Sequence, residues 1–122
     1  MEYAIENEYL IVTVTTWGAQ VKSVVRKFDD VEHMWQADKS VWGYHAPILF
    51  PHTGKVVDDL IETKGEVYQA KQHGFARLME HTLVRQTEDT IVMELRSSEE
   101  TLRIFPYAFR LVSTFTLDGD TL

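Results

Sequence analysis

Apolar and polar side chains alternate near the N-terminus in the pattern of a β-strand. Residues 10–17 are β-branched and aromatic, and every second side chain of the run shares one apolar face: Leu10, Val12 and Val14. Gly18 breaks the run, and the alternation of residues 19–25 predicts a second strand after a tight connection. We expect residues 28–30 to turn the chain and residues 32–36 to form a short third strand.

A long irregular segment follows, from residue 37 to residue 65. Its periodicity is lost, and four conformationally special residues interrupt it: Pro47, Pro51, Gly54 and Gly65. Such an excursion in a compact domain is more often functional or closely packed than idle. Near its end, residues 60–63 and 66–69 predict a small hairpin around Lys64.

Three more strands are predicted downstream. Residues 80–87 and 90–96 alternate on either side of an acidic turn, and residues 109–117 alternate with one apolar face. Asp118-Gly119 is a strong hairpin signal, but only Thr121 and Leu122 remain to form a returning strand. We therefore expect the last strand to have an open edge, through which copies of the chain could associate, and the chain to be the N-terminal part of a longer protein.

One helix is expected, and it is short. Ser97 precedes Glu100 by three positions, the spacing of a capping box, in which two side chains satisfy free backbone donors. Pro106 cannot continue a helix. The helix is therefore placed near residues 98–104.

Composition and charge narrow the classes of function. A chain of 122 residues is long enough for one domain with its own core, so residues 1–122 are treated as a single domain. The net charge of −7 argues against nucleic acid or an anionic membrane as the main partner. The absence of cysteine excludes disulfides and thiolate metal sites and fits a reducing compartment, so we expect a cytoplasmic protein.

The candidate chemistry centres on the sequence Gln72-His73-Gly74-Phe75-Ala76-Arg77. A histidine can bind a hydroxyl or move a proton near neutral pH, and an arginine offers a planar fork to hydroxyls, carboxylates or phosphates. Gly74 indicates a backbone position where a side chain would obstruct a ligand or a turn. The alternative is that His73 is structural and Arg77 pairs with a surface carboxylate.

Aromatic residues are dense around this motif. Five of them fall in or beside the irregular segment: Trp35, Trp42, Tyr44, Phe50 and Phe75. Aromatic faces beside polar groups suit the C–H faces and hydroxyls of a sugar, but large aromatics also build cores. The proline-flanked residues 46–51 are interpreted as a rigid apolar strut.

The sequence offers little support for a metal or nucleotide cofactor. His45, His52 and His73 could converge, but none is paired at helical spacing and no cysteine or acidic ligand cluster accompanies them. No P-loop, dinucleotide fingerprint or serine-nucleophile elbow is present. We expect no cofactor.

Several motifs occur in an order that resembles the aldose 1-epimerase (galactose mutarotase-like) family. They are Trp17-Gly18-Ala19, Met34-Trp35-Gln36-Ala37-Asp38, Val41-Trp42, Ala46-Pro47-Ile48-Leu49-Phe50-Pro51 with Gly54, the motif from Gln72 to Arg77, and Glu99-Glu100-Thr101-Leu102 before Pro106. The chain most resembles the branch of LacX-like proteins and relatives of hexose-6-phosphate mutarotase. The resemblance covers essentially all 122 residues but less than half of the family's usual domain.

The resemblance implies an all-β fold, the N-terminal part of an antiparallel β-sandwich called a supersandwich. It also implies interconversion of the α and β anomers of a hexose without metal or organic cofactor. In that reaction a glutamate base and a histidine acid open the sugar ring by paired proton transfers. The family's acid and base match no residue up to Leu122, so the resemblance implies no catalytic residue in this chain.

Individual residues inherit expectations from the resemblance. His73 matches the histidine that contacts the sugar near its ring oxygen, and Arg77 matches an arginine of the phosphate-binding cluster in the hexose-6-phosphate branch. Lys55 stands where relatives have arginine, and a lysine keeps the charge but loses the fork. Trp42 and Phe75 are assigned to the aromatic wall of the same pocket. Tyr44 replaces a residue that is usually basic, which favours a plain sugar over a sugar phosphate.

Two functions are therefore weighed. The first is the substrate-binding part of a mutarotase acting on a hexose or hexose phosphate, inactive alone for want of the acid and base. The second is a non-catalytic sugar-binding or interaction module. A histidine and a glutamate in the family's later motifs would favour the first.

Overall fold

Two antiparallel sheets face each other in the computed structural model, which describes residues 1–122. The first sheet has the order β1-β2-β3-β4, formed by Glu2–Glu6, Leu10–Thr15, Gln20–Arg26 and Val31–Glu32. The second has the order β7-β8-β9, formed by Thr82–Gln86, Thr90–Arg96 and Arg110–Thr116. The hairpin β5-β6 stands apart from both and consists of Leu60–Thr63 and Glu66–Gln69.

Helical structure is confined to short segments. The helix α1 spans Glu99–Leu102, and single turns of 3-10 helix occupy Val57–Asp59 and Ala76–Leu78. None of these helices is long and apolar enough to cross a lipid bilayer. The predicted all-β antiparallel architecture with one short helix is confirmed.

The alternation of side chains explains why the two sheets pack together. Val12 and Val14 on β2 are completely buried, as are Ile91 and Met93 on β8. These side chains belong to one apolar cluster that joins both sheets, so the inward faces of β2 and β8 form the centre of the core. Burial of each such side chain contributes about 1.5–3 kcal/mol.

Three details of the sequence-based prediction are wrong. A strand at Glu2–Glu6 was not anticipated, although its inward Ile5 is 2% exposed. The third strand is only Val31–Glu32 and does not reach residue 36. The capping box is formed by Ser98 and Thr101, not by Ser97 and Glu100.

The shift of the cap has a clear cause in backbone hydrogen bonding. The N–H of Ser97 donates to the carbonyl of Phe109 at 3.1 Å, so Ser97 still extends the β8-β9 ladder. The helix can therefore begin only after it. The Ser98 hydroxyl accepts from the Thr101 N–H at 3.3 Å, and the Thr101 hydroxyl accepts from the Ser98 N–H at 2.8 Å.

The side chain of Glu32 ends the third strand. Its carboxylate accepts the N–H groups of Val24 and Met34, both at 2.8 Å, and the hydroxyl of Ser23 at 2.5 Å. Burial acts to raise the pKa of Glu32, but these hydrogen bonds outweigh it, and the pKa lies below its ordinary value. The side chain thereby takes the place of a backbone partner and directs the chain into the irregular segment.

The hairpin β5-β6 was predicted correctly. Leu60 pairs with Gln69, and Thr63 pairs with Glu66. The two residues between the strands, Lys64 and Gly65, have φ values of 54° and 76°. Positive φ at both central positions is the requirement of a tight hairpin turn.

Candidate functional site

The motif from Gln72 to Arg77 is a tight turn clamped against the strut of residues 46–51. The carbonyl of Phe50 accepts the N–H groups of Phe75 at 2.9 Å and Ala76 at 3.3 Å. Gly74 has a φ of 71°, and a Cβ atom added there would lie 2.0 Å from the carbonyl oxygen of Phe50. Glycine is required here by contact with the protein's own backbone.

His73 is held in a defined orientation by Gly54. The backbone N–H of His73 donates to the carbonyl of Gly54, and Nδ1 of the imidazole accepts from the N–H of Gly54, both at 2.9 Å. Because Nδ1 is an acceptor, the neutral ring carries its proton on Nε2. His73 therefore presents a hydrogen-bond donor, suited to an oxygen of a ligand.

The amide of Gln72 lies beside that donor. The side-chain nitrogen of Gln72 is 3.3 Å from Nε2 of His73. Rotation of the amide by half a turn places its oxygen toward Nε2, which is the arrangement that the tautomer of His73 requires. This contact is longer than an ordinary N–H···O hydrogen bond, so a ligand oxygen can replace the amide as the acceptor of the Nε2–H.

Arg77 is a cation without a carboxylate partner. Its guanidinium carbon lies 4.9 Å from the centre of the Tyr44 ring, and one terminal nitrogen donates to the carbonyl of Gln72 at 3.1 Å. Its Nε is shielded from solvent and has no hydrogen-bond partner. No ion pair within residues 1–122 includes Arg77, so the expected alternative of a surface carboxylate partner is wrong.

Trp42 and Tyr44 extend the stack that begins at Arg77. Their ring centres are 5.8 Å apart, with the planes inclined by 51°. The carbonyl of Trp42 accepts the indole N–H of Trp35 at 2.7 Å, and Trp42 remains 46% exposed. The structure thus brings two sequence-predicted residues, Trp42 and Arg77, together through Tyr44.

Phe75 lies in a different environment. It joins a cluster of four phenylalanines whose ring centres are 4.9 to 6.2 Å apart: Phe50, Phe75, Phe105 and Phe109. The cluster borders a cavity of about 490 Å³ that is also lined by Ile61, Leu78 and Tyr107. Phe75 packs in this cluster, whereas Arg77 stacks on Tyr44.

Lys55 directly follows Gly54, the residue whose backbone is hydrogen-bonded to His73. Its ammonium group lies 3.7 Å from the carboxylate of Asp59, and its side chain is 65% exposed. A pair this open to solvent contributes about 0–1 kcal/mol. Lys55 can therefore exchange this partner for a ligand at small cost.

The aromatic segment is attached to the first sheet through Gln20. The side-chain oxygen of Gln20, a residue 5% exposed, accepts the N–H of His45 at 3.1 Å. Nδ1 of His45 is 2.8 Å from the carbonyl of Trp35, to which it donates. No group of three or more metal-ligating side chains comes together in residues 1–122.

Sequence reasoning missed His81, which supports the segment that carries Arg77. His81 is 2% exposed, and its Nε2 donates to the carbonyl of Ala76 at 3.0 Å. Its backbone N–H donates to the carbonyl of Thr16 at 2.8 Å, joining this segment to the end of β2. Position 81 lies in the predicted strand of residues 80–87, but no motif in the sequence marks its histidine for this contact.

Burial makes the stability of the protein sensitive to acid at His81. Desolvation lowers the pKa of His81 below the ordinary value of 6.5, although the Ala76 carbonyl opposes it. The unfolded chain therefore binds this proton first as the pH falls, so the free energy of unfolding decreases below about pH 6.5. Urea unfolding across this pH range should show the decrease, and the variant His81→Gln, which can still donate to Ala76, should show a shallower one. Equal slopes in the two proteins would contradict the assignment.

Comparison with known proteins identifies the class to which this fold belongs, an antiparallel β-sandwich of the galactose mutarotase-like kind. A galactose mutarotase related enzyme from Lactobacillus acidophilus is 37% identical, with a TM-score of 0.96 over 98% of this chain and 40% of its own. A galactose mutarotase-like protein from Lactobacillus casei is 33% identical, with a TM-score of 0.93 over 98% of this chain and 40% of its own.

The family follows from the sequence comparison. The family model described as aldose 1-epimerase matches residues 1–122, so the chain belongs to the aldose 1-epimerase family. The plasmid-encoded protein LacX of Lactococcus lactis is 33% identical over 100% of this chain. The chain spans 42% of the length of that relative.

Proposed function

We propose that this chain forms the substrate-binding face of a sugar mutarotase that interconverts the anomers of a hexose. The observation that carries the proposal is the fixed tautomer of His73, whose Nε2–H donor belongs to the same turn as Arg77, a cation without a carboxylate partner. A neutral donor suits a ring or hydroxyl oxygen of a sugar, and a guanidinium suits hydroxyls or a phosphate. Membership of the aldose 1-epimerase family supports a sugar as the ligand.

The remaining predicted residues take supporting roles in this proposal. Trp42 and Tyr44 provide an aromatic face for the C–H groups of the ring, and Lys55 contributes a second cation near Gly54. Phe75 acts by packing in the phenylalanine cluster, which holds the turn that carries His73. The ligand oxygens are bound by His73, Gln72 and Arg77.

Titration of the chain with sugars tests the proposal. Amide resonances of His73, Gly74 and Arg77 should shift with glucose, galactose and their 6-phosphates, followed by two-dimensional NMR. A preference for the phosphates would assign Arg77 to the phosphate, whereas equal affinities would assign it to ring hydroxyls. The absence of shifts in this motif with every sugar would overturn the proposal.

The 122-residue chain alone is expected not to catalyse mutarotation. Ring opening needs both a general acid and a general base acting on the same sugar. In this proposal His73 only donates a hydrogen bond to the sugar. Polarimetry of freshly dissolved α-glucose or α-galactose should give the uncatalysed rate in the presence of the chain. Clear acceleration by the pure protein would contradict this expectation.

Tyr44 is expected to position Arg77 for the ligand. The variant Tyr44→Leu removes the ring beneath the guanidinium, a contact that stabilises by about 0.5–1 kcal/mol at an exposed site. Sugar affinity should therefore fall by roughly two- to fivefold in the same NMR titration. Tyr44→Phe keeps the ring and serves as the matched control, which should bind as the parent protein does.

A further inference from the structure

The connection between β2 and β3 contacts both segments that form the stack of Arg77 on Tyr44. It consists of residues 16–20, which we call the β2-β3 corner, and it turns through Gly18 and Ala19 with φ values of 69° and 45°. Ala19 is completely buried. The corner is therefore a fixed part of the core, and segments that bond to it are fixed as well.

On one side of the corner lies the segment that carries Arg77. The N–H of Gly18 donates to the carbonyl of Met79, and the carbonyl of Thr16 accepts the N–H of His81, both at 2.8 Å. A Cβ atom added at Gly18 would lie 2.7 Å from the carbonyl oxygen of Arg77. The backbone of Arg77 thus packs directly against the corner, with no room for a side chain between them.

The side chain of His81 fixes the same segment a second time. Its Nε2 donates to the carbonyl of Ala76 at 3.0 Å, and both residues are at most 2% exposed. The only other backbone donor to that carbonyl is the N–H of Met79, at 3.3 Å. Because Ala76 directly precedes Arg77, His81 holds the backbone from which the guanidinium extends.

On the other side of the corner, Gln20 holds the segment that carries Tyr44. Its Oε1 accepts the N–H of His45 at 3.1 Å, and its Nε2 faces the carbonyl of Trp17 at 3.5 Å. Residues 33–56 contain no helix or strand, so no regular backbone ladder holds Tyr44 in place. The bond from the next residue, His45, to a side chain that is 5% exposed takes the place of such a ladder.

We propose that Gln20 and His81 are positioning residues for sugar binding, which keep Tyr44 and Arg77 together by fixing their two segments to the β2-β3 corner. The guanidinium lies 4.9 Å from the centre of the ring, and an attraction of this kind needs a separation below about 6 Å. A small displacement of either segment therefore ends the stack. Sugar binding is the proposed function, on which this inference rests, whereas the stack itself can be measured without a ligand.

The Nε–H resonance of Arg77 reports on the stack in the free protein. Its Nε is shielded from solvent, so the proton should exchange slowly, and the ring current of Tyr44 should shift its NMR resonance upfield. Tyr44→Leu should abolish this shift and provides the reference for a lost stack. Gln20→Met removes the acceptor for His45, and His81→Leu removes the donor to Ala76. Each should move the Arg77 resonance toward its position in Tyr44→Leu.

Two control variants separate positioning from a general loss of stability. His81→Gln retains a side-chain N–H for the carbonyl of Ala76 and should keep the resonance of the parent protein. Thr90→Val removes the hydroxyl of a residue that is 6% exposed and should lower stability without moving the resonance. Thr90 is the first residue of β8, whereas Thr82, next to His81, pairs with Glu94 near the other end of that strand.

Titration with glucose, galactose and their 6-phosphates connects the stack to binding. Gln20→Met should weaken sugar affinity by roughly two- to fivefold, the loss expected for Tyr44→Leu. Because Gln20 acts through Tyr44, the double variant should bind no more weakly than Tyr44→Leu alone. A further loss would contradict this route. If the parent protein binds no sugar, the proposed function fails, and the Arg77 resonance still decides whether Gln20 and His81 hold the stack.

Three results would overturn the positioning role. They are a parent Arg77 resonance at the position found in an unstructured peptide, a folded Gln20→Met or His81→Leu variant with the parent resonance, and a Thr90→Val variant that moves the resonance as far as these two do. Thermal melting followed by circular dichroism establishes which variants are folded. Should Gln20→Met not fold, Gln20→Asn, which keeps the amide but is one methylene shorter, takes its place with the same expected shift.

Discussion

Replacing Gly74 by alanine is expected to lower the free energy of unfolding by about 3 kcal/mol or more. The added Cβ would lie 2.0 Å from the carbonyl oxygen and 2.4 Å from the carbonyl carbon of Phe50. Neither atom belongs to a flexible side chain. The turn would have to move away, breaking the bonds from Phe75 and Ala76 to that carbonyl.

Gly65→Ala is the matched control for that experiment. Gly65 shares a positive φ, 76° against 71° for Gly74, but a Cβ atom there would meet nothing within 4 Å. Its cost should be only that of a left-handed conformation, about 1–2 kcal/mol. Urea unfolding of the two variants separates conformational strain from steric overlap. Equal losses of stability would show that the approach of Phe50 to Gly74 does not limit substitution.

Replacing His73 by asparagine should lower sugar affinity by about tenfold while preserving the fold. His73 has a φ of 66°, a conformation that asparagine tolerates better than most residues, so the backbone can be retained. The variant loses the Nε2–H donor, and a ligand oxygen left without a partner costs about 1–3 kcal/mol. The NMR titration with hexoses measures the loss, and urea unfolding confirms that the variant is folded.

A histidine outside the motif provides the control for this experiment. His33 is exposed, and no side-chain hydrogen bond of His33 is present in the structure, so His33→Asn should leave the affinity unchanged. If His73→Asn is folded and binds as tightly as the parent, His73 is not a ligand contact. The proposed function would then lose the residue on which it rests.

Most of the fold could be predicted because its strands are encoded locally. Alternation at period two identified β2, β3, β7, β8 and β9, and a glycine between two short β-rich runs identified the hairpin β5-β6. The same alternation is present in Tyr3 and Ile5 of β1, a strand that was nevertheless not predicted. This error was one of interpretation, not of missing information.

The prediction of the third strand was wrong for a different reason. Residues 33–36 have strand-forming composition, but Glu32 satisfies the N–H groups of Val24 and Met34 with its side chain. A carboxylate that replaces a backbone acceptor cannot be recognised from local sequence, because its donors are brought to it by the pairing of β3 and β4.

The sequence singled out candidate residues but did not predict the contacts that they make. His73 and Arg77 were singled out by type and spacing, and the structure places them on one turn. The partner of His73 is the backbone of Gly54, which has no side chain to mark it. Tyr44 was interpreted only as the replacement of a basic residue, whereas in the structure its ring lies under the guanidinium of Arg77.

Gly74, inside the candidate motif, shows what the sequence and the tertiary structure each determine. The sequence by itself determined the strands, the hairpin, the residue types of the motif and the resemblance to a family, because these depend on neighbours along the chain. Only the tertiary structure decided why position 74 must be glycine and which nitrogen of His73 carries the proton. Each of these depends on groups distant in sequence, and their distances exist only after the chain has folded.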